Sequence, residues 1–413
     1  MDIGTIGFVG LNHLGIVSAI TTAFKGHSVW GYDSNESLIN DLQNKRFPFY
    51  EPDLENLYEE VKYSIDWTIH PEILKECKLI FITIDTPTNE QNESNYDLIF
   101  SYLDLITNHI SHETVIVISS QVYPGFTRSL LGQYHNPIFY QPEFLVVGNA
   151  MELSCNPIQV TVGCEDKNEP LPVVYKEYLS NFETYETQMI RKVSYESAEM
   201  AKIATNIYLA AQVSTTNVLA EVCEKVKSDW REVKSIIEND SRIGSYINPG
   251  LGISGGHLER DMYTIEKLSE HIEFDLLYRK DWVNNLIHLY GQNLTVAIWG
   301  LTYKPNTNSM KNSQALHTLG YLKTLTGIKI KTYDPYNIVT WQPCHSCNSP
   351  EEASHNADIL CILTADKQYS ELSLENLTEH MKGGIIIDPY GMLNHEECIE
   401  MGFKHFQLGV PNE

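Results

Sequence analysis

Thr5-Ile6-Gly7-Phe8-Val9-Gly10-Leu11-Asn12-His13-Leu14-Gly15 is the stretch on which the fold turns. Five residues of strand character run into a turn and then into the amphipathic segment Gly15–Phe24, the context a dinucleotide-binding fingerprint requires. Gly10 permits the tight turn, and Gly15 permits close packing of helix on strand. Asn12 stands where the fingerprint has its middle glycine, the residue that lets backbone approach a pyrophosphate. Asparagine tolerates unusual backbone angles, but its side chain occupies space that phosphate normally uses. His13 and Leu14 complete the motif at a helix N-terminus, where N–H groups and the dipole favour an anion. Asp33 ends the second strand segment, 18 residues beyond Gly15. A carboxylate there can hold both ribose hydroxyls and repel a 2′-phosphate, so NAD is the expected cofactor.

Outward from this stretch, apolar strand segments recur at Ser28–Tyr32, Leu79–Ile84, Val115–Ser119, Pro137–Tyr140 and Gln159–Val162, separated by amphipathic runs such as Tyr96–Ile110. Such alternation predicts a mainly parallel sheet covered by helices. Between Ser194 and Asn293 strand signals nearly vanish, and Ser197–Lys227 and Leu276–His288 read as helices. Then the opening theme restarts: Val296–Leu301 echoes Gly7–Leu11, and Thr332-Tyr333-Asp334-Pro335 echoes Gly31-Tyr32-Asp33-Ser34. The predicted class is α/β, with two Rossmann-like doubly wound domains over 1–190 and 294–413 joined by a central helical segment over 191–293. The helical segment offers a surface for a homodimer. Asn89–Asn95 and Trp341–Ala353 read as exposed loops.

Composition narrows the partners. The net charge of −25 over 413 residues argues against nucleic acid and anionic membrane, because both repel an acidic surface. No apolar run approaches the ~20 residues needed to span a bilayer, and Met1 leads almost directly into the first strand. Eight cysteines in so long a chain suggest reduced thiols and a cytoplasmic setting. Cys344-His345-Ser346-Cys347 has the spacing of half a metal site, but no second pair follows, so no metal is expected.

The chain resembles the UDP-glucose/GDP-mannose dehydrogenases over nearly its whole length. Phe49-Tyr50-Glu51-Pro52-Asp53-Leu54 is similar to the family's Tyr-Glu-Pro-Gly-Leu segment. Thr86-Pro87, Ser119-Ser120-Gln121-Val122, Gln141-Pro142-Glu143-Phe144-Leu145 and Ala198-Glu199 with Lys202 and Asn206 follow in family order. So do Arg242-Ile243-Gly244, the glycine-rich loop Pro249–Asp261, and Gly300-Leu301-Thr302-Tyr303-Lys304-Pro305. The resemblance implies oxidation of the C6 alcohol of a nucleotide sugar, a UDP-sugar being favoured, with NAD⁺ as acceptor. It implies catalytic duties for Ser120, Glu143, Lys202, Asn206, His257 and Asp261, and cofactor contacts for Gly10, Asn12, His13, Leu14, Gly15, Asp33, Thr86, Pro87 and Ser119. Substrate contacts would come from Phe144, Leu145, Arg242, Tyr246, Asn248, Gly252, Arg260, Tyr303 and Lys304.

Two half-reactions separate here. Oxidation of alcohol to carbonyl needs a proton acceptor and stabilisation of the developing oxyanion. Lys202 and Asn206, four residues apart, share a helix face and can address one oxygen, while Asp261 can hold a water or orient Lys202. The second oxidation, in the family, passes through a thioester on a cysteine. His257 occupies that position and cannot form one, and none of the eight cysteines lies in the loop. An arginine and a carboxylate of the family's hydrolytic stage are Val146 and Val147 here. Imidazole can still act as a general base towards water. Three readings stay open: an oxidoreductase that stops at the carbonyl, a cysteine-independent route to the uronic acid, and a non-catalytic nucleotide-sugar-binding or regulatory paralogue.

Overall fold

Strand β1 (Ile6–Val9) is buried at every position, and helix α1 (His13–Phe24) follows immediately after the turn Gly10-Leu11-Asn12. The computed structural model describes residues 4–87, 94–182, 190–240, 243–244, 247–250, 260–262, 281–338 and 344–410. They fall into two compact units, Met1–Thr205 and Asn206–Glu413.

In the first unit β1 joins β2 (Val29–Tyr32), β3 (Ile65–Thr68), β4 (Leu79–Ile82), β5 (Val115–Ile118), β6 (Ile138–Tyr140), β7 (Val160–Cys164) and β8 (Ile190–Ser194) in one sheet. Its order is β3-β2-β1-β4-β5-β6-β7-β8, and only the β6–β7 pair is antiparallel. Helices α2 (Glu36–Gln43), α3 (Leu54–Val61), α4 (Asp97–Thr107), α5 (Phe126–Ser129), α6 (Ala150–Cys155) and α7 (Val173–Ser180) connect the strands. Strands such as Leu79-Ile80-Phe81-Ile82 and Val115-Ile116-Val117-Ile118 are apolar on both faces because both faces are covered. Leu79, Phe81, Val115 and Val117 enter one core, and Ile80, Ile82, Ile116 and Ile118 the other, the period of two that a pleated strand imposes.

The second unit repeats the plan. β9 (Thr295–Trp299), β10 (Lys329–Tyr333), β11 (Cys344–Ser346), β12 (Ile359–Ile362), β13 (Ile385–Ile387) and β14 (Lys404–Phe406) form an all-parallel sheet in the order β11-β10-β9-β12-β13-β14. Relative to its own first strand, each sheet runs 3-2-1-4-5-6 through its first six strands, the doubly wound order whose switch point lies beside the first βα turn. Helices α8 (Tyr195–Val226), α9 (Trp230–Ile237) and Trp282–Leu289 account for the helical middle, and no strand occurs between Tyr195 and Leu294 among the described residues.

Two local expectations change. Trp341–Ala353 is not simply a loop: Cys344–Ser346 forms an edge strand on β10, and Pro350–Ser354 a short helix whose N-cap Ser349 accepts the Glu352 N–H. A three-residue strand with only Cys344 buried leaves too little alternation to read in advance. The helix expected over Leu276–His288 is described from Trp282, and 276–280 lie outside the described residues, as does most of Asn89–Asn95. Among the described residues no helix is long and apolar enough to cross a membrane.

Candidate functional site

The turn after β1 is built on contacts that exclude a side chain. Gly10 has φ +92°, and a Cβ there would lie 2.6 Å from Ile84 Cγ1. A Cβ on Gly15 would lie 2.1 Å from the Gly10 carbonyl oxygen, so helix α1 approaches β1 as closely as backbone allows. Asn12 does not use asparagine's tolerance for unusual angles: its backbone is extended (φ −81°, ψ −166°), and it serves as the N-cap of α1. Its Oδ1 accepts the Gly15 N–H at 3.0 Å, engaging one of the helix's four N-terminal donors. His13 and Leu14 are the first residues of the helix, where intrahelical acceptors are absent.

Asp33 stands just past the end of β2. Its Oδ2 accepts the Leu11 N–H at 2.8 Å and its Oδ1 the Asn35 N–H at 2.9 Å. A carboxylate offers about four acceptor positions, so two remain for a ligand. The repeat in the second unit is filled: Asp334 accepts from Leu301 and Thr302 N–H on one oxygen and from Tyr336 N–H and Asn337 Nδ2 on the other. Beyond β5, Ser119 is buried and its hydroxyl has no hydrogen-bond partner among the described residues. Ser120 is buried with its hydroxyl on the Ile82 carbonyl at 3.3 Å. Thr86 donates to the Gln121 carbonyl at 3.2 Å, and Pro87 is exposed. Vacant acceptors on Asp33, an orphaned Ser119 hydroxyl and a glycine-only turn fit a dinucleotide. The Asn12 side chain makes the phosphate end tighter than a glycine would.

Two carboxylates that the sequence reading left without a role brace this region. Glu51 is buried and accepts His13 Nε2 at 2.8 Å, Gly148 N–H at 3.0 Å and Ala150 N–H at 2.7 Å, tying the start of α1 to the start of α6. Glu199 of α8 is buried as well. It accepts the Gly125 and Thr127 N–H groups at 2.6 and 2.9 Å and so holds α5 beyond the Ser-Ser-Gln-Val loop.

Glu143, Phe144 and Leu145 follow β6 and line a cavity of about 270 Å³. Burial pushes the Glu143 carboxyl up to about 7, against the opposing pull of the Gln141 hydrogen bond and the Lys202 charge. The Lys202 ammonium lies 5.2 Å from the centre of the Phe144 ring, so lysine, ring and carboxyl form one group in the first unit.

In the second unit Asn206, on the same helix as Lys202, donates its side-chain N–H to Asp261. Asp261 and Arg260 are 1% and 4% exposed, with the Arg260 Nε 3.6 Å from the Asp261 carboxylate. Asn217 of α8, a residue the sequence reading passed over, accepts the Gly250 N–H at 2.8 Å and anchors the start of the glycine-rich loop. The other candidates are not brought to this group by any described contact: Asn248 is exposed and accepts from Lys234 at 2.8 Å, and the Lys304 ammonium lies 5.7 Å from the Tyr303 ring centre. Arg242, Tyr246, Gly252 and His257 lie outside the described residues.

All eight cysteines are free thiols, seven of them buried. Burial raises Cys77 and Cys398 to about 12 and pushes Cys155, Cys164, Cys344, Cys347 and Cys361 upward. His345, Cys347 and Glu352 present donor atoms within 4.8 Å of one another. Glu352 there already accepts from Asn348 at 2.7 Å, and its N–H caps on Ser349.

Residues 4–180 match the NAD binding domain of the UDP-glucose/GDP-mannose dehydrogenase family, 196–285 its central domain, and 297–395 its UDP binding domain. UDP-glucose 6-dehydrogenase of Rickettsia typhi is 25% identical over 98% of this chain and 99% of its own length. TuaD of Bacillus subtilis, also a UDP-glucose 6-dehydrogenase, is 27% identical over 98% and 93%. Among solved structures, the UDP-D-ManNAc dehydrogenase of Pyrococcus horikoshii superposes with TM-score 0.85 at 19% identity, over 99% of this chain and all of that one. The UDP-glucose dehydrogenase of Pyrobaculum islandicum gives 0.81 at 22% identity, over 99% and 98%. The three domains in their order, together spanning most of the sequence, settle its kinship: this chain belongs to the UDP-glucose/GDP-mannose dehydrogenase family, with NAD as its cofactor.

Proposed function

We propose that this protein oxidises the primary alcohol of a nucleotide sugar, a UDP-sugar by preference, to the carbonyl, and stops there. One observation carries the reading: the glycine-rich loop Pro249–Asp261, where the resemblance puts the thioester cysteine, contains His257 and no cysteine, and in support the thiols with a resolved shift are all pushed away from thiolate by burial. The step is RCH₂OH + NAD⁺ → RCHO + NADH + H⁺. Bound NAD⁺ supplies the hydride acceptor. Gly10, Asn12, His13, Leu14, Gly15 and Asp33 would hold its ribose and pyrophosphate, with Thr86, Pro87 and Ser119 at the neighbouring strand ends.

In this reading Glu143 takes the hydroxyl proton, since a carboxyl near 7 is matched to a base at neutral pH, worth roughly 10²–10⁴ in rate. Lys202 and Asn206, one turn apart on α8, stabilise the developing oxyanion. Asp261 fixes the Asn206 amide by accepting one of its N–H groups, which leaves the other to donate. Ser120 supports the group from the end of β5. Phe144, Leu145, Arg242, Tyr246, Asn248, Gly252, Arg260, Tyr303 and Lys304 are the proposed substrate contacts.

A second reading has its own support. Glu143 opens on a cavity roomy enough for water. His257 as a general base could activate a water, hydrate the aldehyde and allow a second hydride to leave without a thioester. We further propose the division 1–190, 191–293 and 294–413 as functional domains, a cytoplasmic setting in keeping with eight free thiols, and a homodimer. Support for the dimer comes from Val218, Val222 and Val226, exposed at four-residue spacing on α8. A Val222→Asp variant that keeps the wild-type mass in light scattering would remove that surface from consideration.

The function is tested by offering UDP-, GDP-, dTDP- and CDP-sugars with NAD⁺ and following NADH. Turnover with a UDP-sugar is expected. Silence across the panel, with sugar binding intact by calorimetry, would replace the enzyme with a binding protein.

A further inference from the structure

Glu143 is held by an amide, and the amide is held by a phenol. Gln141 Nε2 donates to Glu143 Oε1 at 2.7 Å, and the Tyr175 hydroxyl donates to Gln141 Oε1 at 2.9 Å. Gln141 and Glu143 flank Pro142 just beyond β6, two residues apart, as needed to share a side of extended chain. Tyr175, on α7, is completely buried. Burial also keeps its phenol neutral and therefore a donor.

The order of the three groups fixes a direction. Were the amide turned over, the buried phenol proton would lose its acceptor, and the amide oxygen would face the carboxylate. Both changes are costly out of water. With the amide as found, Glu143 receives an N–H on Oε1, which favours its ionised form. Among the described residues the other groups facing it are the Lys202 ammonium from α8, which also favours the anion, and the Tyr178 phenol from α7, whose oxygen lies 3.4 Å from Thr22 Oγ1. Among the described residues the hydrogen bond to Glu143 is made to Oε1, and the residue lines the cavity.

We propose that Tyr175 and Gln141 are positioning residues, a phenol–amide relay that favours the ionised form of Glu143, with Oε1 engaged and Oε2 presented to the proton it removes. The inference rests on Glu143 as the proton acceptor, and its test separates the two. In protein labelled with ¹³C at glutamate carboxyls, Glu143 is assigned by its absence in Glu143→Gln and titrated in wild type and in Tyr175→Phe. One hydrogen bond of ordinary worth corresponds to a rise in midpoint of about half to one pH unit. The acid limb of the pH–rate profile should move with it, with KM unchanged and the rate recovered at high pH. Gln141→Met, which retains volume and lacks the donor, should move both further, and provides the reading if Tyr175→Phe folds poorly. An unchanged Glu143 titration in the folded variants would overturn the relay. A shifted titration alongside full activity of Glu143→Gln would uphold the relay and remove Glu143 as the base.

Discussion

Asp33 accepts the backbone N–H of Leu11 at 2.8 Å, and through that bond the second strand grips the turn that follows the first. The second unit repeats the bond between Asp334 and Leu301 at 2.7 Å, but there the carboxylate has four donors and here it has two. Asp334→Ala should therefore act on stability alone, lowering the unfolding free energy by roughly 2–4 kcal/mol through orphaned N–H groups, with NAD⁺ affinity unchanged. Asp33→Ala should weaken NAD⁺ binding roughly 10–100-fold, the worth of one or two charged hydrogen bonds. Calorimetric NAD⁺ titration beside thermal unfolding separates the two effects, and equal NAD⁺ losses in both variants would refute the distinction.

Asn12 caps α1 with the group that a phosphate would otherwise replace. Replacing a capping asparagine by glycine costs only a few tenths of a kcal/mol, so Asn12→Gly should fold normally. With the Gly15 N–H released, NAD⁺ should bind about 3–10-fold more tightly. Weaker binding would mean that the Asn12 side chain, and not its backbone alone, contacts the cofactor.

Asn206 and Asp261 should fail differently. If Asn206 has the proposed oxyanion role, Asn206→Ala is expected to lower kcat about 10²–10³-fold with little change in KM. Asp261→Asn, which keeps the shape and loses the charge, should cost about 10–100-fold. Asp261→Ala also removes the carboxylate beside the buried Arg260, so it should lower stability by about 1–3 kcal/mol as well. Denaturant melts beside steady-state kinetics report both; wild-type kcat in Asn206→Ala would remove the residue from the chemistry.

Glu143 links pH to both rate and stability. Its carboxyl titrates near 7 in the folded protein and near 4.5 when exposed, so the folded state holds the proton more tightly between those values. The stabilisation is fully present below about 4.5 and is lost as pH rises through 7. Glu143→Gln should thus be more stable than wild type at pH 8, on the order of 1–3 kcal/mol, and no more stable at pH 4. Catalysis runs the opposite way, falling as pH drops below about 7. A flat rate between pH 5 and 8 would count against the assignment.

The fold was legible because Ile6–Val9, the glycine-spaced turn and Asp33 carry strand, crossover and ligand signals in one short span, and Val296–Leu301 with Asp334 repeats it. Strands β3 and β8 escaped notice for physical reasons. Ile65-Asp66-Trp67-Thr68 alternates over only four residues at a sheet edge, and Arg191 and Lys192 break the apolar run of Ile190–Ser194. At the site, residues within one motif were readable, while braces across the fold were not. Glu51 binds N–H groups 97 and 99 residues away, and in sequence such a carboxylate looks like any surface acid. Gln141 carries no sequence signal of its bond to Tyr175, 34 residues away on another element.

The most direct test of the central claim is the number of NADH formed per nucleotide sugar consumed, with the product identified by mass spectrometry. One NADH and a carbonyl product is the predicted result, because in the proposed reading the residues of the first oxidation are retained while His257 replaces the cysteine nucleophile of the second. Two NADH and a uronic acid would contradict it, and would mean that this site completes the oxidation without a cysteine.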